Sequence, residues 1–361
     1  MAVCRAAYTS RPRSPEPARP ATPAARAPIP PGVDYFWRAD PDYFSRAPQL
    51  VAGGAFFASV PQARACSICG CGDPLLAAND PAAITGRLRL QFDVEYLRVD
   101  AGTDGQPGYT DQLTQWSYRF NVVYRPISRL SILATLPILD KTIHTVGGGT
   151  DVTASHLTGL GDAELGVRYA FWRAINYGVG RVQEVALASG MMMPTGANDA
   201  KTKDTTGALI PVDPHGQLGT GGWGPFLGLH YRFEQANWLG FADVSYRWRT
   251  TGSYFDGSRY KFGDAVLWSI HGQYRPLTML AVDLGIDGRY ALVDKATAPG
   301  DSSASVDNTG GTLLSAAPGV YFNAWRTLWV FVRGQIPFYK NLNGEQDVKP
   351  SVAFGLQYQV L

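Results

Sequence analysis

From Gly86 the chain reads G-R-L-R-L-Q-F-D-V-E-Y-L-R-V, and this alternation constrains the fold more than any other feature. Successive side chains of a strand face opposite sides, so Leu88, Leu90, Phe92, Val94 and Tyr96 share one face, and Arg87, Arg89, Gln91, Asp93 and Glu95 the other. One such strand would suit a soluble sandwich equally well, and its repetition along the chain decides between them. Tyr118, Phe120, Val122 and Tyr124 alternate with Arg119, Asn121 and Arg125, while Leu165, Val167 and Tyr169 alternate with Glu164 and Arg168. Val282, Leu284, Ile286 and Tyr290 alternate in turn with Asp283, Asp287 and Arg289. Segments of roughly ten residues, apolar on one face and charged on the other, are the signature of a transmembrane β-barrel with a polar lumen.

Connection lengths sharpen this reading. Short turns (R-P-I-S-R, E-Q-A-N, R-P-L-T, A-W-R-T) alternate with long segments around H-T-V-G-G-G-T-D-V-T-A-S-H, from Thr195 to Gln217, and from Asp294 to Gly311. Barrels of this class have short periplasmic turns and longer outer loops, which predicts an all-β, closed antiparallel barrel of about twelve strands with both termini periplasmic. An open sheet would leave unpaired backbone in lipid, so closure is required. Pro137 and Pro318 fall inside predicted strands and predict bulges or local breaks in pairing.

Composition excludes other classes. No apolar run approaches the roughly 18 to 20 residues of a membrane-spanning helix. The 32 basic and 30 acidic side chains nearly cancel, so no overall field points to nucleic acid. The five histidines are scattered, and no serine or cysteine sits in a recognisable nucleophile setting, so the reading is of a non-enzyme.

Four regions follow. Residues 1–45 are Pro/Ala/Arg-rich, a disordered or mis-assigned leader. Residues 46–65 read as a secretory signal peptide: Arg46, the apolar run from Leu50 to Val60, and an A-x-A site at Ala63 and Ala65. Residues 66–85 form a periplasmic segment that opens on C-S-I-C-G-C-G-D-P, and 86–361 form the barrel. Cys66, Cys69 and Cys71 can converge on copper, zinc or an iron-sulfur centre. In an oxidising compartment they can equally form a disulfide with one thiol left over. Lipidation of Cys66 as the first mature residue, or no special role at all, would also fit the sequence.

The run L-T-G-L-G-D-A-E-L-G-V-R-Y-A-F, the M-P-T-G ending at Gly196 and the L-G-T-G-G-W-G-P-F-L-G-L-H-Y from Leu218 resemble a known family. It is the outer-membrane β-barrel transporter family of the meta-pathway phenol-degradation type. The resemblance implies a bacterial outer-membrane channel for small molecules, aromatic compounds among them, and brings no catalytic residues.

Inward parity assigns Arg87, Arg89, Asp93, Glu95, Arg119, Asp162, Glu164, Arg168, Arg232, Arg247, Asp283, Asp287 and Arg289 to the lumen. These side chains can lock a barrel with little free pore or line a narrow polar conduit. The expected partners are the outer-membrane bilayer, small-molecule solutes and a periplasmic protein. A second function compatible with the sequence is a non-transporting barrel that anchors a metal-binding or electron-transfer assembly through the cysteine segment.

Overall fold

The computed structural model describes residues 87–102, 109–147, 150–203, 209–254 and 257–360. The first elements are β1 (Leu88–Gly102), β2 (Tyr109–Ile127), β3 (Leu130–Gly147), β4 (Thr150–Leu160), β5 (Ala163–Asn176), β6 (Arg181–Met193), and β7 (Lys201–Lys203) and β8 (Leu209–Pro211), which pair only with each other, outside the barrel sheet. The next elements are β9 (Gly224–Gln235), β10 (Trp238–Arg247), β11 (Gly252–Ser253), β12 (Arg259–Lys261), β13 (Ala265–Leu277) and β14 (Leu280–Ala291). The last are β15 (Lys295–Thr297), β16 (Ala304–Ser305), β17 (Gly311–Trp325), β18 (Leu328–Leu342), β19 (Gln346–Val348) and β20 (Ser351–Val360).

Every stave pairs antiparallel with its sequence neighbour, and β1 closes the sheet on β20 from Leu88↔Val360 to Tyr96↔Val352. Two staves are interrupted: β4 and β5 both pair with β3 across Gly161 and Asp162, while β19 and β20 both pair with β1 across Lys349 and Pro350. The result is a closed barrel of 12 strands. Among the described residues no helix is long and apolar enough to cross a membrane.

The alternation sorts the two faces. Leu90, Phe120, Val122, Leu165, Val167, Leu229, Leu284, Val332 and Leu356 are exposed on the outside, as a lipid-facing belt requires. Aromatic pairs mark its margins: Trp238 and Tyr274 at the short-turn end (ring centroids 4.6 Å apart), with Tyr96 and Trp116 (4.9 Å) and Tyr246 and Trp248 (4.7 Å) toward the long loops.

The prolines act differently. Pro137 keeps its place in β3, paired with Arg119, and its carbonyl accepts from Gly161 N at 2.9 Å. Pro318 pairs with Leu284, but the β17–β18 ladder skips from Ala316↔Ile336 to Gly319↔Arg333, because proline has no N–H to give to β18. A larger irregularity lies above Gln335↔Ser351, where β18 pairs only with β17 and β19 only with β1. Pro337 and Pro350 flank this slot, and the Lys340–Asp347 ion pair at 2.5 Å spans it.

Candidate functional site

The lumen is lined by charged networks and apolar clusters. At mid-depth and toward the short turns hydrogen-bonded charges stand beside the buried Ala281, Tyr321 and Phe331 and the Val123–Leu133 pair. Arg119 donates from Nε to Asp93 at 2.7 Å and from Nη1 to Glu95 at 2.6 Å, while Asn121 donates to Asp93 at 2.8 Å. Higher up, at the long-loop ends of β5 and β10, Arg247 meets Glu164 at 2.8 Å and lies over the Phe226 ring. His271, stacked on Phe241, sits between Asp283 (2.8 Å) and Asp287 (3.0 Å), and Gln335 donates to Asp287 as well. A second buried histidine, His230, meets Asp243 at 2.6 Å.

Of the lumen residues named from parity, Arg89, Asp93, Arg119, Asp162, Glu164, Arg168, Arg247, Asp283 and Asp287 are buried. Glu95, Arg232 and Arg289 are half-buried, while Arg87 precedes β1 and is exposed. Unpaired charges in such a setting are costly, so cross-strand ion pairs are what let a charged wall exist here. Cys66, Cys69 and Cys71 lie outside the described residues. Among the described residues no group of three His, Cys, Asp or Glu side chains is placed to hold a metal ion.

Toward the long loops the inner wall combines an apolar cluster with charged groups, the Arg247–Glu164 pair and Lys141 among them. Val99 and Val348 pack together with Leu97, Leu313 and Leu342, and Leu113, Leu139, Ile143, Met192 and Leu267 are also buried at this end. Over this end folds a cap, of which residues 195–203 and 209–220 are described, and three anchors hold it. Asp162, in the break between β4 and β5, accepts from Gly196 N at 3.0 Å and from both Thr220 N and Thr220 Oγ at 2.7 Å. The backbones of Gly196 and Gly219 meet so closely beside this carboxylate that a Cβ on Gly219 would strike the Gly196 carbonyl. The second anchor is Lys141, on the inner face of β3, which donates to the carbonyls of Gln217 (2.7 Å) and His215 (3.1 Å).

The third anchor joins the cap to the neighbouring loops. His215 lies between Asp213 (3.0 Å) and the fully buried Asp294 (3.1 Å), and packs edge-on against Tyr260 and Phe262. Tyr260 donates to the same Asp294 oxygen at 2.8 Å, and Gly263 N donates to the other at 2.6 Å. Burial, then the charge and hydrogen bond of Asp294, push the Tyr260 phenol far above its ordinary value, so it remains a donor. Burial pushes the Asp213 carboxyl up, but the charge and hydrogen bonds of His215, with the charge of Lys141, outweigh it and leave the group below its ordinary value. Beside this latch is a cleft of about 460 Å³ lined by Val212, Pro214, Tyr254, Tyr260 and Val306, with Arg259 among its polar residues.

Sequence parity placed Asp162 in the lumen but gave no hint of its hold on the cap. It passed over Lys141, His215, Tyr260 and Asp294 altogether. The available signal was the clustering of small residues: the G-L-G-D, M-P-T-G and L-G-T-G runs meet at this one carboxylate.

No family model and no curated protein matches the chain. Solved structures do. An outer-membrane channel from Pseudomonas putida F1 aligns over 77% of this chain and 98% of its own, at 11% identity and a TM-score of 0.53. The transport unit of the autotransporter AIDA-I from Escherichia coli aligns over 78% and 93%, at 10% identity and a TM-score of 0.51. At such identities the likeness is one of fold. Closed barrel, lipid-facing belt and neighbours together make this chain a β-barrel of the bacterial outer membrane.

Proposed function

We propose that the barrel is a passive outer-membrane channel for small solutes with an apolar body. The observation that carries this reading is the apolar cluster on the lumen wall around Val99 and Val348, beneath a cap that side-chain hydrogen bonds from Lys141 and Asp162 hold to the wall. Opening would exchange these few anchors for water, and gating segments are commonly loops that move over a rigid scaffold.

In this reading the long loops face outward, and the short turns, both termini and the cysteine segment face the periplasm, as even-stranded exported barrels are built. The meta-pathway resemblance would make aromatic compounds the cargo, and the P. putida neighbour is itself described as an outer-membrane channel. Planar-bilayer recording tests the proposal: the protein should pass small currents that an aromatic solute such as benzyl alcohol interrupts. Absence of current at every voltage would leave a structural barrel.

A further inference from the structure

The cleft beside the latch is built from separate stretches of chain. The cap supplies Val212, Asp213 and Pro214, and Val212 is tied to it: its amide donates to the Ala200 carbonyl at 3.0 Å and its carbonyl accepts from Gln217 at 2.9 Å. The segment from β11 to β12 supplies Tyr254, Arg259 and Tyr260, and the segment from β15 to just past β16 supplies Ala298, Ser305, Val306 and Asp307. Its volume of about 460 Å³ lies in the range of small-molecule sites. The walls are largely apolar, since Tyr254 and Tyr260 meet edge-on with ring centroids 6.5 Å apart and Val306 packs against them. Asp213 is already engaged by His215, which leaves the exposed Arg259 and Asp307, one charge of each sign. No net charge singles out an ion, and an ion would have to shed water to enter.

We infer that this cleft binds an uncharged aromatic solute bearing a hydroxyl, its ring among Tyr254, Tyr260 and Val306 and its hydroxyl bonded to Arg259 or Asp307 at the rim. The same site bears on the cap. Tyr260 lines the cleft and gives its hydroxyl to Asp294, the buried partner of His215 in the latch, while one wall of the cleft is the cap itself. Release of the cap takes that wall away, so the solute binds the latched arrangement better and must favour it in return by the same factor. The cleft is therefore a brake, through which external solute holds the cap down. Binding and its effect on the latch stand on the cleft alone, and only the consequence for current rests on the channel reading.

Equilibrium binding to the full chain in lipid nanodiscs, where no detergent competes for the cleft, tests this with one ring in each charge state: p-hydroxybenzyl alcohol, p-hydroxybenzoate and p-hydroxybenzylamine. The neutral alcohol should bind saturably, at least about fivefold more tightly than either ion. Ala298→Trp and Ser305→Trp each put a ring into the cleft from an exposed position outside the barrel sheet, and each should weaken binding about tenfold with the melting temperature unchanged. Saturating alcohol should slow hydrogen exchange at residues 212–220 severalfold in the wild type and in neither variant. No saturable binding, tighter binding of either ion, or binding that both variants leave intact overturns the site, and saturable binding with unchanged cap exchange overturns the brake. A barrel that binds the alcohol and slows its cap, yet passes no current, would retire the channel reading and leave the site standing.

Discussion

Thr220 gives both its backbone amide and its hydroxyl to one carboxylate oxygen of Asp162, each at 2.7 Å, while Gly196 N takes the other oxygen at 3.0 Å. A single buried acid thus holds both ends of the cap, and it sits where a stave of the barrel is broken. Replacing it with alanine should cost on the order of 3 kcal/mol locally, since charge-assisted bonds are lost and buried donors left unmet. Hydrogen exchange should then speed up across residues 196–220 while β2 and β3 stay protected. Uniform loss of protection across the barrel would mean that Asp162 supports the wall rather than the cap.

The latch should have a pH window. Asp213 has a lowered pKa, so its contribution is present above the unfolded value of about 4 and is lost as pH falls through the folded one. Tyr260 has a raised pKa, so its contribution is complete below the unfolded value of about 10 and fades as pH rises further. Cap exchange, after correction for its intrinsic pH dependence, should therefore rise as pH falls below about 4. D213N should show faster exchange at neutral pH with the acid rise diminished; an unchanged acid rise in this variant would assign the transition to another group.

The lumen network should be intolerant of half-removal. Arg119 is buried against Asp93 and Glu95, so Arg119→Gln strands two carboxylates and should destabilise the barrel by about 3 to 5 kcal/mol in urea titrations. A change under about 1 kcal/mol would indicate a hydrated lumen at that level.

Leu284 is 66% exposed on β14 and belongs to the proposed lipid contact. Leu284→Arg should cost about 2 to 4 kcal/mol in a bilayer if the residue lies near mid-depth. The same variant should be nearly neutral if this face met water.

Much of the architecture was legible because period-2 alternation is a local property: Leu88 through Tyr96 declare the strand, and the turn spacing declares the closed all-β barrel. Pro318 was rightly marked as a break, since a missing N–H is also local. The cap was not legible, because its anchors join residues far apart in the chain, Lys141 to Gln217 and His215 to Asp294, through loops that have no periodicity. The histidines looked scattered in the sequence, although His230 and His271 each meet an aspartate of the adjacent hairpin strand, Asp243 and Asp283, a cross-strand pairing that only the register reveals.

The most direct test is single-channel recording of the wild-type protein and of D162N in planar bilayers. Weakening the Asp162 anchor should raise the open probability or conductance severalfold over a small wild-type current, with the barrel still heat-modifiable and folded. Identical currents in the two proteins, or none in either, would contradict a channel gated by this cap.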